Sequence, residues 1–190
     1  MQLLKSRLIR VEKPDFDVEM DLKYGSNDNF TEKSVYKADA KAFLHVDAAE
    51  KLAVAIELAA KMGYRIKIFD AFRPSEAQFA LWSHTPDPDF LADPQRGSPH
   101  SRGVAIDLTL LDENGKELDM GTEFDAFTPL SHHGNQEISE EAQKNRHILL
   151  GIMTDAGWDF YRNEWWHYQL FDSKTYPLLT DEEAGTGMMP

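Results

Sequence analysis

Two short stretches of the chain alternate apolar and polar positions, which is the pattern of β-strands. In residues 104–110 the apolar side chains occupy one face, and the other face carries a single carboxylate, Asp107. This stretch predicts a half-buried strand. In residues 165–171, Trp166 and the positions two and four further on share one face, and His167 lies on the other. A second strand with one ionisable group of interest is therefore predicted.

The segments between these stretches have mainly helical periodicity. Asp47 and Glu50 have the spacing of a capping box, and Gly63 is suited to end the helix that they begin. Ser139 has the same capping character before a later apolar pattern. The predicted elements are a helix at 48–62, a strand at 64–72, a helix at 74–82 and a helix at 140–156.

The fold class that follows is α+β. We expect a central, mainly antiparallel sheet that carries Asp107 and His167 on neighbouring strands, with helices packed on one face. A chain of 190 residues is long enough to bury its own core, and it shows no linker or repeat. Residues 1–190 are therefore predicted to form one domain. The polar, glycine-containing tail after Pro177 is expected to be partly disordered.

Four ionisable residues cluster around the two predicted strands. His100 precedes Asp107 by an odd number of positions, so a straight strand would place the two side chains on opposite faces. A turn or bulge at Gly103 would allow them to converge. Glu164 is likewise out of register with His167 and should lie in the turn that enters the second strand.

This set of residues has two interpretations. Two histidines and one aspartate suffice to hold a catalytic zinc ion, and a neighbouring carboxylate outside the ligand set can act as a general base. Alternatively, the same side chains form a buried polar network that ties two strands together. The pair His132–His133 is a weaker candidate for metal binding, because adjacent side chains rarely point at one ion.

Composition narrows the choice of partners. The chain has no cysteine, so a metal ion must be held by nitrogen and oxygen ligands. A formal charge of -13 argues against binding to nucleic acid, which normally requires a basic surface. Charges interrupt the apolar residues of the N-terminal segment, and no apolar run is long enough to span a membrane. We therefore expect a cytoplasmic protein; the sequence leaves its oligomeric state open.

The two stretches also match known motifs. SPHSRGVAID (residues 98–107) followed by EWWH (residues 164–167) closely resembles the SxHxxGxAxD and ExWH motifs of zinc D-alanyl-D-alanine dipeptidases, the family that includes the vancomycin-resistance dipeptidases. Two spaced motifs in the right order are far more specific than either alone. Further landmarks of the resemblance are DLKYGSNDNFT (21–31), FDAFRP (69–74), MGTEFD (120–125) and SHH (131–133).

The resemblance implies a fold like that of the hedgehog and D-Ala-D-Ala peptidase domains, and it implies roles for eight residues. One zinc ion per chain would be held by His100, Asp107 and His167, with Glu164 as general base and Arg73 stabilising the oxyanion. Near a short D-dipeptide, two further residues would face the ammonium group and one the carboxylate. These three are Tyr24 and Asp125 at the amino end and Ser98 at the carboxyl end.

Three alternatives remain at this stage. A related zinc D,D-carboxypeptidase or peptidoglycan endopeptidase could share the metal motifs while cutting longer stem peptides. A noncatalytic metal-binding module, as in the hedgehog signalling domain, could keep the metal ligands, but it could dispense with Glu164 and Arg73. Tyr24, Asp125 and Arg73 could each be ordinary structural residues, respectively a buried tyrosine, a turn aspartate and half of a surface ion pair.

Overall fold

The computed structural model of the protein describes residues 7–190. Residues 1–6, part of the N-terminal segment in which charges interrupt the apolar residues, lie outside the described residues. The helices and strands are β1 (Leu8–Arg10), β2 (Val18–Met20), β3 (Phe43–His45), α1 (Val46–Lys61), β4 (Arg65–Asp70), α2 (Ser75–His84), β5 (Ala105–Leu111), α3 (Glu140–Asp155), β6 (Asp159–Phe160), β7 (His167–Gln169) and α4 (Asp181–Ala184).

The main sheet has five strands in the order β2-β4-β5-β7-β6. Strands β2 and β4 are parallel, and every other neighbouring pair in this sheet is antiparallel. The predicted α+β fold with a mainly antiparallel sheet is thus confirmed. Strand β5 lies in the centre, and Asp107 pairs directly with His167 of β7. The two ionisable residues therefore lie on neighbouring strands, as the sequence predicted.

Helices α1 and α3 supply the apolar side chains that cover one face of this sheet. Leu52 of α1 and Leu149 of α3 belong to the same buried cluster as Ile106 and Leu108 of β5. The prediction that β5 is only half-buried is wrong, because Thr109 on its other face is 1% exposed. Loops cover that second face, so alternation along β5 reports the chemistry of each face and not its exposure to solvent.

Local signals placed most helix ends correctly. Helix α3 begins after Ser139, whose hydroxyl group accepts from the Ala142 backbone, and Gly63 follows α1 with a φ of +82°. The start of α1 differs from the prediction. His45, not Asp47, is the N-cap, and its ring nitrogen accepts from the backbone of Asp47. The strand β3 runs directly into the helix, so the cap falls on the last residue of the strand.

The C-terminal segment after Pro177, for which partial disorder stays a prediction, contacts the rest of the fold at a few points. Leu179 lies between two parts of the fold: its N–H donates to Ser101 O at 2.9 Å, and its carbonyl group accepts from Ser75 N at 3.0 Å. Met188 is 1% exposed and packs into a second apolar cluster, which also contains Tyr24 and residues of α2. The polar composition of the tail concealed these few anchoring contacts. Within residues 7–190, no helix combines the length and apolar character needed to cross a bilayer.

Candidate active site

Three potential metal ligands converge at the centre of the sheet. Asp107 and His167 come from the paired strands β5 and β7, while His100 comes from a 3-10 turn just before β5. Gly103 ends this turn with a φ of +70°, and a Cβ atom at this position would collide with the side chain of Leu8. The turn predicted at Gly103 is thus confirmed, and it brings His100 to the same face as Asp107.

The ligand atoms have the spacing that a small metal ion needs. His167 Nδ1 lies 3.0 Å from Asp107 Oδ1 and 3.1 Å from His100 Nε2, and Asp107 Oδ1 lies 3.3 Å from His100 Nε2. A tetrahedral zinc ion with bonds of about 2.0–2.1 Å separates its ligands by about 3.3 Å. Among residues 7–190, this is the one group of three or more such side chains close enough to share an ion. His132 and His133 are not in it.

The outer ring nitrogens support the same interpretation. His100 Nδ1 lies 2.7 Å from the carbonyl oxygen of Ala71, which can only accept, so this nitrogen carries the hydrogen in a neutral ring. His167 Nε2 lies 3.1 Å from Gln169 Oε1. When a cation is bound, both outer nitrogens can donate to these acceptors, and the inner nitrogens and the Asp107 carboxylate then present lone pairs to one point. Such an arrangement is repulsive without a cation and is typical of histidine metal ligands.

Without a cation, the two histidines stabilise the ionised form of the acid at the centre of the cluster. Burial by itself would raise the pKa of Asp107, but His100 and His167 outweigh it and hold the pKa below the usual range. Asp107 is 2% exposed, so it is an ionised acid in the interior. An acid in this state is ready to bind a cation without first losing a proton.

Glu164 lies beside the cluster but outside it. Its carboxylate is 3.8 Å from His167 Nδ1, and the residue belongs to the turn that enters β7, as predicted. Burial raises its pKa well above the ordinary value, and the negative charges of Asp107 and Asp125 add to the shift. The direction of this shift suits a group that must accept and return a proton near neutral pH.

The turn that carries Glu164 is held by the SHH landmark. Ser131 O accepts from the Trp165 backbone at 3.1 Å, and His133 N donates to Arg162 O at 2.9 Å. These two hydrogen bonds hold the backbone of the turn on both sides of Glu164. The SHH landmark therefore touches the backbone of the site and contributes no metal ligand.

Arg73 leaves β4 and points back under the cluster. Its Nε donates to Asp70 at 2.8 Å, one terminal nitrogen donates to Gln78 at 2.9 Å, and the other lies 3.5 Å from Asp107 Oδ2. Burial would lower the pKa of Arg73, but Asp70 and its other neighbours raise it well above the usual value. The guanidinium group is therefore charged, oriented and 5% exposed, which rules out a surface ion pair.

The other predicted residues form the far wall. The Tyr24 hydroxyl group donates to Asp125 at 2.7 Å, and the Arg73 guanidinium lies 5.1 Å from the centre of the Tyr24 ring. Burial raises the pKa of Asp125 to about 8. Ser98 accepts from the His100 backbone through its hydroxyl group, so it also supports the turn that carries this ligand.

All eight predicted site residues line a single cavity of about 220 Å³. The structure thus brings together every residue that the sequence placed in the site. The remaining wall is mostly apolar and aromatic, and its members include Pro88, Phe90, Leu91, Tyr161 and Trp166. A cavity of this size, with charged groups at defined points, is suited to a small polar ligand.

Comparison with known proteins agrees with this geometry. The sequence profile of the Peptidase_M15 family, described as D-ala-D-ala dipeptidase, matches residues 5–182. The chain belongs to this family. This family member is accordingly a metallopeptidase.

Its relatives match over most of their length. A D-alanyl-D-alanine dipeptidase of Escherichia coli (strain K12) is 45% identical to this family member over 166 residues, which cover 87% of this chain and 86% of that protein. A D-alanyl-D-alanine dipeptidase of Enterococcus faecium is 36% identical over 180 residues, covering 84% and 89%. A solved LD-carboxypeptidase, LdcB, matches with a TM-score of 0.47 at 17% identity over 95% of this chain and 78% of that one.

Several residues of the site in this family member escaped the sequence analysis. Asp70 and Gln78 fix the guanidinium group, and Gln169 contacts the outer nitrogen of a proposed ligand. Asp70 could have been found, because an arginine predicted next to a buried strand needs an acidic partner. Gln169 could also have been found, since it shares a strand face with His167. Tyr161 carried no signal, because its position at the cavity depends on a turn that the pattern did not define.

Proposed function

We propose that this protein hydrolyses the dipeptide D-alanyl-D-alanine to two D-alanines, with one zinc ion per chain held by His100, Asp107 and His167. The observation that carries this proposal is the convergence of all eight predicted residues on one small cavity. The substrate follows from the relatives, which are D-alanyl-D-alanine dipeptidases over most of the chain. We further propose that residues 1–190 act as one dipeptidase domain, and a cytoplasmic location stays a prediction.

The metal cluster fits zinc by the chemistry of its ligands. Two imidazole nitrogens and one carboxylate form a common catalytic zinc site, in which a fourth position is left for water or substrate. When bound, zinc acts as a Lewis acid that lowers the pKa of a water molecule to about 7 and polarises a carbonyl group. The outer ring nitrogens of His100 and His167 contact Ala71 O and Gln169 Oε1, and these contacts would fix the orientation of both rings.

Glu164 is the proposed general base. It is 6% exposed and borders the cavity next to His167, so it can reach a water molecule on the metal side of the scissile bond. In this role it takes the proton of the attacking water and returns it to the leaving amine. A carboxyl group whose pKa is raised by burial can carry out both transfers near neutral pH.

Arg73 is the proposed oxyanion donor. Attack on the peptide carbonyl places negative charge on its oxygen, and a fixed guanidinium group in a buried site stabilises such charge without having to reorient. Asp70 and Gln78 hold two sides of the guanidinium group, which leaves the third nitrogen toward Asp107 and the cavity. The arginine is thus already oriented before substrate arrives.

The ends of the dipeptide are matched by different groups. Asp125, with its bond from Tyr24, is proposed to bind the ammonium group, and Ser98 is proposed to contact the carboxylate. A peptide with a blocked amine would leave a polar group of the wall without its partner, which is costly in a closed cavity. This matching favours a dipeptidase over the related enzymes that cut longer stem peptides.

The test measures release of D-alanine from D-Ala-D-Ala by purified protein, before and after metal removal and zinc addition. We expect activity that disappears with a chelator and returns with zinc. Glu164→Gln should lower kcat by about 10²- to 10⁴-fold while the protein still binds zinc, because only proton transfer is lost. The matched control is Glu137→Gln, which changes an exposed carboxylate outside the cavity.

Four outcomes would contradict the proposal. Hydrolysis that persists without metal would contradict the proposed role of zinc. Full activity of Glu164→Gln would contradict the proposed role of Glu164 as general base. Preference for a pentapeptide ending in D-Ala-D-Ala over the free dipeptide would favour a carboxypeptidase. L-Ala-L-Ala serves as the stereochemical control, and equal rates on both dipeptides would argue against the D-specific assignment.

A further inference from the structure

A group of hydrogen bonds at the mouth of the cavity joins two loops that are distant in sequence. The backbone carbonyl oxygen of Asp89 accepts from the Tyr161 hydroxyl group at 2.9 Å and from Asn163 Nδ2 at 3.1 Å. The Asn163 amide also lies 3.2 Å from the Tyr161 hydroxyl oxygen. We call this group of three residues the rim latch. None of its bonds is needed to bind a metal or to move a proton.

One side of the rim latch is the loop 87–92. Pro88, Phe90 and Leu91 of this loop line the cavity, and Leu91 is 5% exposed. The loop has its own internal bonds, since the Leu91 N–H donates to Asp87 O at 2.8 Å. Phe90 stacks on Phe127 with ring centres 5.0 Å apart. The loop 87–92 is therefore an ordered part of the cavity wall. The stacked rings of Phe90 and Phe127 fix it to the rest of the fold.

The other side of the rim latch is the turn that carries Glu164. Tyr161 and Asn163 belong to this turn, and the Tyr161 ring also lines the cavity, 6.3 Å from the His167 ring. The rim latch thus joins the loop 87–92 to the turn of the proposed base, across the opening between them. Residues on both sides of this connection line the cavity.

We propose that the rim latch limits substrate length: by holding the loop 87–92 against the base turn, it closes the cavity around a dipeptide and excludes longer peptides. The inference rests on the proposed function and deepens it by naming what sets the size limit. Its bonds are neutral, and they lie at exposed positions, where each bond is individually weak. They can therefore break for substrate entry and product release, yet a peptide that extends through the rim would keep them apart throughout the reaction.

The experiment compares the double variant Tyr161→Phe with Asn163→Ala against the unchanged protein. Both substitutions remove donors to Asp89 O and keep all eight proposed site residues. The substrates are D-Ala-D-Ala, a tripeptide with one glycine added at the amino end and another with glycine added at the carboxyl end. We expect the ratio of kcat/KM for at least one tripeptide to that for the dipeptide to rise about 10-fold or more, as the loss of two hydrogen bonds implies.

Tyr176→Phe is the matched control. It removes a tyrosine hydroxyl group that donates to Asp47 outside the cavity, so the ratio should not change. Hydrogen exchange of the amides in residues 87–92 gives a second readout that needs no substrate, and these amides should exchange faster in the double variant. An unchanged exchange rate would overturn the rim latch itself, and an unchanged ratio in an active double variant would overturn the length limit.

These outcomes are distinct from a failure of the proposed function. If the unchanged protein with zinc released no alanine from D-Ala-D-Ala, the dipeptidase proposal would fail, and the length limit would fail with it. The exchange measurement would still decide whether Tyr161 and Asn163 hold the loop. If both proteins are active and the ratio of kcat/KM for tripeptide to dipeptide is the same in the double variant, the dipeptidase proposal stands and only the length limit fails.

Discussion

The two ends of the cavity each carry an acid, and the surroundings shift the pKa values of these acids in opposite directions. At the end with the proposed metal ligands, called the metal end, His100 and His167 overcome the effect of burial and hold the pKa of Asp107 below its usual range. At the end proposed to bind the ammonium group, called the amine end, burial raises the pKa of Asp125 to about 8, and Tyr24 opposes this only in part. The first acid has basic partners within the protein. The positive charge of Arg73 favours the ionised form of the second acid but does not overcome burial, so a cationic ligand would supply what this acid lacks.

The backbone follows the same division. Asp107 lies on the central strand β5, where it pairs with Asp70 of β4 next to a register shift and with His167 of β7 on the other side. Asp125 lies in a loop with a φ of +59°, in the left-handed region that most side chains avoid. The metal end is thus determined by the sheet, whereas the amine end depends on a local strained conformation. Substitutions should affect the two ends in different ways.

The largest effect is expected from breaking the metal end. His167→Ala should lower zinc affinity by more than about 100-fold and abolish metal-dependent hydrolysis. Loss of a ligand should reduce metal affinity at least as much as loss of a group that hydrogen-bonds to a ligand. Zinc content after dialysis, measured by mass spectrometry, checks this prediction. His147→Ala is the matched control, because this histidine is exposed on α3. Equal zinc content in the two variants would contradict the assignment of His167 as a ligand.

A smaller effect, and a different one, is expected at the amine end. Asp125→Asn keeps the shape of the side chain and tolerates the positive φ, but it removes the charge that would pair with an ammonium group. KM for D-Ala-D-Ala should rise by about 10- to 100-fold, the value of a hydrogen bond to a charged group, with zinc content unchanged. Steady-state kinetics on the zinc-loaded protein provide the measurement. A fall in kcat at constant KM would instead place Asp125 in the chemical step.

The smallest change, measured between pH values one unit apart, concerns stability. The folded protein raises the pKa of Asp125 from 3.8 to about 8, so between these values the folded state keeps a proton that the unfolded state has lost. The contribution of Asp125 to the free energy of unfolding is fully present below pH 4 and is lost as the pH rises to 8. The free energy of unfolding of the metal-free protein, minus that of Asp125→Asn, should therefore fall over this range, by at most about 1.4 kcal/mol per pH unit. Urea unfolding at several pH values tests the sign; a difference that rises with pH would contradict it.

Sequence alone went furthest where the chemistry is carried by strands and motifs. Alternation placed Asp107 and His167 each on one face of a strand, and the family resemblance placed them together in one site. The odd spacing of His100 required a turn, which Gly103 permits. The partners of Arg73 were harder to find, because Gln78 reaches it from another element. The half-buried character assigned to β5 failed for a related reason: the loops that cover its second face have no periodic pattern.

The rim and the tail show what lies beyond such reasoning. Asp89 acts through its backbone carbonyl group, which any residue could supply, so no side-chain pattern marks it. The placement of the tail likewise depends on a few anchor points, among them Leu179 and Met188, in a segment of otherwise polar composition. Long-range contacts of single backbone atoms leave almost no trace in a sequence.

The position of Leu179 has a practical consequence for anyone who engineers this protein. Its backbone joins Ser101, next to a proposed metal ligand, to Ser75, close behind the buried arginine. Shortening the chain before this residue would delete no group proposed to bind zinc or substrate, yet it would free two segments that hold such groups. Purification tags and reporter fusions should therefore leave residues 177–190 in place.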